Sequence, residues 1–272
     1  MSIALTIFQG LAGDHNDLAI PGAKSIGELF AQKLNISAVT IGFPEKALNA
    51  DWRIELDHAM AALQEIQGQF DKIFSNGQKP LAATSRCAVS LATLPVVAKH
   101  RMDACVVWFD SHADLNTPES SNTGYLGGLA LSGPVGLWDS GLGSGLPLHN
   151  IILVGQRDLD PCEIEMIDSG QVIHIKPGSE LATELRNVIS GRPVYMHLDC
   201  DVLNPGIVPT EYVCPNGLSL QDLSDACIAI SHSEVIGVEI AEFQNLWNPA
   251  GSPVSPAPLI HALEPVINSL KS

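Results

Sequence analysis

Carboxylates and an imidazole alternate in Asp110-Ser111-His112-Ala113-Asp114, directly after the apolar run Val106-Val107-Trp108-Phe109. An extended chain turns alternate residues to one side, so Asp110, His112 and Asp114 can converge. Two oxygen donors and a ring nitrogen leaving a buried strand make a site for a divalent cation. The competing reading, a helix cap followed by exposed turn residues, needs three coincidences at period two. A second set lies in Met196-His197-Leu198-Asp199-Cys200-Asp201, where Asp199 and Asp201 share a face at the end of an apolar strand. Close, half-buried carboxylates repel one another unless a cation or a proton intervenes. A third set, Glu239-Ile240-Ala241-Glu242, is weak by itself but adds acids to the same inventory. Two divalent ions about 3.5 Å apart would bridge and ionise a water near neutral pH, which points to hydrolysis. A negative cleft with a spare acid such as Glu242 suits a guanidinium or amine substrate.

The elements that position these groups alternate along the chain. Apolar runs of strand length occur at Ser2–Gln9, Ala38–Ile41, Lys72–Asn76, Ala104–Phe109, Asn150–Val154, Gln171–Ile175, Val194–Leu198 and Val235–Ile240. Helical patterns occur at Ala23–Leu34, Arg53–Gln67, Ala88–Lys99, Cys162–Ile167, Glu180–Ile189, Leu220–Ile230 and Pro258–Leu270. Continuous apolar strands between helices predict an α/β protein with a parallel sheet covered on both faces. Eight strands suit a doubly wound open sheet or a (β/α)₈ barrel, and both gather function at strand carboxyl ends. No composition break or repeat divides the chain, so residues 1–272 read as one domain. The glycine-rich stretch Asn116–Pro147 reads as a long irregular surface loop beside the active edge. Its Gly-Leu-Gly-Ser-Gly run does not follow a strand, which argues against a phosphate cradle.

Acidic residues number 30 against 14 basic ones, for a formal net charge of −16. Without a Lys/Arg cluster the chain lacks the footprint of a nucleic-acid binder, and an anionic membrane would repel it. Its apolar runs are far shorter than the roughly 20 residues of a membrane span. Asp14, His15 and Asp17 interrupt the first 30 residues, so no secretory leader is expected. The six cysteines show no paired spacing and read as reduced thiols of a cytoplasmic protein.

Asp110-Ser111-His112-Ala113-Asp114-Leu115-Asn116-Thr117-Pro118 resembles the DAHxDxNTP signature of the arginase/ureohydrolase family, and His197 to Pro205 resembles its SxDxDxxDP signature. Gly155 to Asp160 and Glu239 to Glu242 are similar to two further segments in the same order, so the likeness spans the chain. The resemblance implies the arginase-like three-layer sandwich with an eight-stranded parallel sheet. It also implies a dimanganese cluster held by Asp110, His112, Asp114, Asp199 and Asp201. Asp114 and Glu242 take the catalytic positions, with Glu242 orienting the guanidinium. Asn116, Thr123 and Asp160 stand where an amino acid's α-carboxylate and α-amino groups bind. Members of the family often form trimers or hexamers, although no residue here demands a homo-oligomer.

Three positions depart from the family pattern. Cys87, within Thr84-Ser85-Arg86-Cys87-Ala88, takes the place of a histidine ligand. As a sixth ligand it would tune the site away from hard manganese and toward Zn²⁺. Alternatively, Cys87 is a small buried residue at a helix start, with one metal position weak or empty. Arg86 puts a cation beside the site that could pair with one of its acids. Gly127 takes the place of a histidine that shuttles a proton in arginases. Losing that group penalises arginine more than a less basic N-hydroxyguanidine. Segments from Cys87 to Ala98, Thr123 to Gly128 and Gly136 to Gly141 are similar to the Nω-hydroxy-L-arginine-cleaving branch of the family, found in D-cycloserine biosynthesis. That likeness implies hydroxyurea and L-ornithine as products. The alternatives are arginase activity, hydrolysis of another guanidino acid, or a metal-poor pseudoenzyme on the same fold.

Overall fold

The computed structural model describes residues 2–271. Eight strands form one sheet: β1 (Ile3–Phe8), β2 (Ala38–Ile41), β3 (Lys79–Ala83), β4 (Cys105–Phe109), β5 (Ile151–Val154), β6 (Ile173–Ile175), β7 (Val194–Asp199) and β8 (Val235–Ala241). Their order is β2-β1-β3-β8-β7-β4-β5-β6, with every pairing parallel. The sheet is open, which decides against the barrel.

Side chains of successive strand residues enter opposite layers. Cys105, Val107 and Phe109 of β4 join the core under α1 (Ala19–Leu34), α5 (Leu181–Ile189), α6 (Leu220–Ser231), α7 (Ala257–Ala262) and α8 (Glu264–Leu270). Val106 and Trp108 join the other core, under α2 (Trp52–Ser75) and α3 (Ser90–His100). The short α4 (Pro161–Asp168) begins at Asp160, with a capping box between Asp160 and Glu163. Among the described residues no helix is long and apolar enough to cross a membrane. All six cysteines are free thiols.

Two sequence expectations fail. Lys72–Asn76 is not a strand, because α2 continues through Ser75 and the third strand follows at Lys79–Ala83. Leu56, Ala59, Leu63, Ile66, Phe70 and Ile73 repeat every three or four positions and bury one helix face, which carries the helix through that short apolar run. Pro80 hides the true strand from a reading of the sequence. It is tolerated because pairing with β8 begins only at Leu81, and Gly237 leaves room for its ring. The stretch from Asn116 to Pro147 is also not a simple surface loop. Leu126, Leu129, Ala130, Leu131, Leu142 and Leu146 are buried, so apolar anchors pin an irregular backbone against the sheet.

Candidate functional site

The four central strands, β3, β8, β7 and β4, deliver the polar groups from their carboxyl ends. After β4, Asp110 is held by the Trp108 indole N–H at 3.0 Å and the His112 backbone N–H at 2.7 Å. After β7, Asp199 accepts the Asp201 backbone N–H at 2.7 Å across one turn of 3₁₀ helix. Asp201 accepts the Ser111 backbone N–H at 3.0 Å, which ties the β7 end to the β4 end. His112 Nδ1 lies 3.2 Å from both Asp110 and Asp201. After β3, Cys87 donates its thiol to Asp199 at 3.1 Å and its backbone N–H to Glu242 at 3.0 Å. Asp114 and Glu242 both have positive φ, 52° and 64°, a strained conformation for residues other than glycine.

All six expected ligands converge. Three triads keep their donor atoms within 4.8 Å of one another: Cys87 with Asp110 and Asp114, Asp110 with His112 and Asp201, and Cys87 with Asp199 and Glu242. Burial first, then mutual repulsion, pushes the Asp110, Asp114 and Asp199 carboxyls up. Burial also opposes charge on Asp201, but its hydrogen bonds to His112 outweigh that and bring it down. Burial disfavours the His112 imidazolium, and the two aspartates reverse this and raise its affinity for the proton. Burial and Asp199 push the Cys87 thiol well up. Buried acids that repel one another, joined by one imidazole and one sulfur, fit a pair of divalent cations, whose charge would relieve that repulsion.

His197 makes internal bonds, as expected of a strand histidine. Its Nδ1 is 3.0 Å from Glu239, its Nε2 is 3.2 Å from Cys87 Sγ, and its ring stacks on Trp108 with centroids 3.6 Å apart. Glu239 is held further by Thr93 at 2.8 Å, Tyr195 at 3.1 Å and a short bond from Ser90. The Cys87 sulfur therefore rests on a fixed buried support.

Arg86 is entirely buried and pairs with three acids, where one was foreseen. Its Nε lies 2.9 Å from Asp14, and its Nη1 lies 2.6 Å from Glu211 and 2.8 Å from Glu242. Burial works against the charge, but these carboxylates hold Arg86 cationic. Asp14 and Glu242 are both pushed up by burial, Glu242 to about 7, against the lowering influence of Arg86. His15 lies in this region, 3.0 Å from Glu211 and with its ring against Tyr125.

A cavity of about 230 Å³ opens over these groups, lined by Cys87, His112, Asp114, Asp199 and Glu242 at its base. Asn116, Thr123 and Asp160, the expected amino-acid contacts, line it as well, and Asn116 donates to Asp160 at 2.7 Å. Trp138 is absent from this lining. Its indole packs on Trp52 and donates to Ser132 at 2.8 Å. Tyr125 and Tyr212 form an aromatic wall that was not foreseen. No spacing signal marks them, because each comes from an irregular segment.

The arginase family model matches residues 26–253. The chain is 37% identical over 240 residues to the N(omega)-hydroxy-L-arginine amidinohydrolase of Streptomyces lavendulae, covering 88% of each chain. Among solved structures, arginase from Bacillus subtilis superposes with a TM-score of 0.83 at 18% identity, covering 98% of each chain. Arginase from Bacillus caldovelox gives 0.82 at 20% identity, covering 98% of this chain and 97% of the other. At these identities the structural likeness speaks for the fold.

Proposed function

The chain belongs to the arginase family, and from that premise we propose that it hydrolyses Nω-hydroxy-L-arginine to hydroxyurea and L-ornithine. The observation that carries this reading is the convergence of Cys87, Asp110, His112, Asp114, Asp199 and Asp201 with Glu242, five of which (Cys87, His112, Asp114, Asp199 and Glu242) line one cavity. The 37% identical relative is named for that substrate, which supports the choice over plain arginine.

Cys87, Asp110, His112, Asp114, Asp199 and Asp201 are the residues that would hold two divalent ions, which we take as Mn²⁺. Such a pair, when bound, supplies a water that ionises near neutral pH and an electrophilic grip on the substrate. The remaining steps fall to side chains. Asn116, Thr123 and Asp160 receive the α-carboxylate and α-amino groups, leaving the guanidino end over the buried acids. Glu242 takes a guanidino N–H and fixes the plane of the group. Water oxygen bonds to the central guanidino carbon, and the bond from that carbon to the ornithine nitrogen breaks. Asp114, at the cavity base, is placed to pass a proton to that departing nitrogen. A cytoplasmic setting is consistent with six free thiols, and we read residues 1–272 as one catalytic unit.

The test is to incubate manganese-loaded protein with each arginine and to quantify hydroxyurea, urea and ornithine. Hydroxyurea and ornithine should form in equal amounts from the hydroxylated substrate. Faster turnover of plain arginine would overturn the substrate assignment, and fewer than one bound metal per chain after loading would point to a pseudoenzyme.

A further inference from the structure

Position 127 has no side chain because another residue fills its place. A Cβ on Gly127 would stand 2.3 Å from Tyr125 Cε1, 2.7 Å from Cζ and 2.9 Å from the phenolic oxygen. Real Cβ atoms do not approach other atoms so closely. The Tyr125 ring is held from other sides too. His15 lies against it with centroids 4.5 Å apart, Tyr212 lies 5.5 Å away, and a Cβ on Gly13 would come within 3.6 Å of its edge. Its hydroxyl borders the cavity and faces Glu242 Oε1 at 3.4 Å.

Glu242 is nearly saturated. Oε1 accepts the Cys87 N–H at 3.0 Å and faces the Tyr125 hydroxyl, while Oε2 accepts from Arg86 Nη1 at 2.8 Å. A carboxylate has about four lone-pair sites, so one remains, on Oε2. A guanidinium grips a carboxylate best with two parallel N–H···O bonds, one to each oxygen. The phenol on Oε1 denies that grip, and Arg86 already offsets the Glu242 charge. An unsubstituted guanidinium has no acceptor for the phenol's single proton and can reach only the lone pairs of the phenol oxygen, so that proton stays on Glu242 Oε1. An N-hydroxyl oxygen can accept that proton in its place, which frees Glu242 Oε1 for a guanidino N–H. Burial pushes the Tyr125 phenol well up, so it keeps its proton and stays a donor.

We propose that Tyr125 is a specificity-determining residue: its hydroxyl, lodged in the room that Gly127 leaves, blocks the second acceptor of Glu242 and selects a guanidine bearing an N-hydroxyl oxygen. This deepens the functional reading above and rests on it.

The experiment compares Tyr125→Phe with the parent protein, both manganese-loaded. It measures the dissociation constants of L-arginine and Nω-hydroxy-L-arginine by calorimetry in the cold, and kcat/KM for each. Tyr125→Phe keeps the ring that packs on Gly127 and removes only the hydroxyl. The preference for the hydroxylated ligand should fall about tenfold or more, the worth of one hydrogen bond to a charged group. Gly127→Ala, which displaces the ring, should lower the same ratio. Equal weakening of both ligands, or an unchanged ratio in both variants, would overturn the proposal and leave Tyr125 a packing residue. If the parent turns over neither arginine, the functional reading fails, while the two dissociation constants still decide the role of Tyr125.

Discussion

Replacing Arg86 with methionine tests whether the buried ion cluster is as tightly balanced as its distances imply. Arg86 and Asp14 are both fully buried, and the Glu242 side chain is only 6% exposed. Breaking a buried pair by removing one partner costs about 3–5 kcal/mol, because the surviving charges lose their compensation. That is a large share of the 5–15 kcal/mol that typically holds a protein folded. At about 2–3 °C per kcal/mol for a chain of this size, the midpoint of thermal unfolding should fall by about 6–15 °C. The loss must also depend on pH. Burial raises the Asp14 and Glu242 carboxyls even with Arg86 present, Glu242 to about 7, and without the cation both rise further. A carboxyl raised in the folded state makes its full contribution below its unfolded pKa and loses it as pH climbs through the folded value. The deficit of Arg86→Met should therefore be small near pH 5 and grow toward pH 8, by up to about 1.4 kcal/mol per pH unit for each group. Thermal unfolding of the metal-free parent and variant, followed by circular dichroism at pH 5.5 and 8, measures both quantities. A deficit equal at the two pH values would show that Arg86 acts through packing, and the charge argument would fall.

Three further outcomes follow from the same geometry. Cys87→Ala should bring bound manganese from two ions per chain toward one, while Cys87→His should change both metal content and rate; elemental analysis showing no change in either variant would remove Cys87 from the ligand set. Glu239→Gln breaks the buried pair with His197, 3.0 Å away, and should cost about 3 kcal/mol of stability; a midpoint within about 2 °C of the parent would mean that this support carries little. Burial pushes Glu163 up to about 7, so about 3 kcal/mol of stability present below pH 4.5 should be lost as pH rises through 7. Glu163→Gln should flatten that slope in the metal-free protein, and an unaltered slope would mean that Glu163 is ionised throughout.

The candidate metal ligands at the strand ends were legible because the information that places them is local. Asp110, His112 and Asp114 follow one strand at period two, Asp199 and Asp201 end another, and a parallel sheet brings such ends to one edge whatever the loops between them do. The strand Lys79–Ala83 was missed, and placed instead at Lys72–Asn76, for an equally local reason, since a proline in an interior strand contradicts the usual preferences and only the register with β8 excuses it. The buried half of the stretch from Asn116 to Pro147 was missed because its apolar residues follow no period.

What surrounds the candidate metal ligands obeys a different logic. Arg86 meets Asp14 from 72 positions away and Glu242 from 156, and Tyr125 meets Glu242 across 117. No periodicity links such residues, because their contacts depend on how strand ends, a glycine-rich segment and the chain after β1 come together in space. The net charge of −16 illustrates the difference. Composition alone shows an excess of acids, and motif spacing assigns several of them to cations. Only the packed structure shows that Glu242, the acid proposed to face the guanidino group, is already engaged by a cation of the protein's own and screened by a phenol. The chemistry a site can attempt is written at the strand ends, whereas the side chains proposed to choose its substrate are ones that fold topology alone brings within reach of those ends.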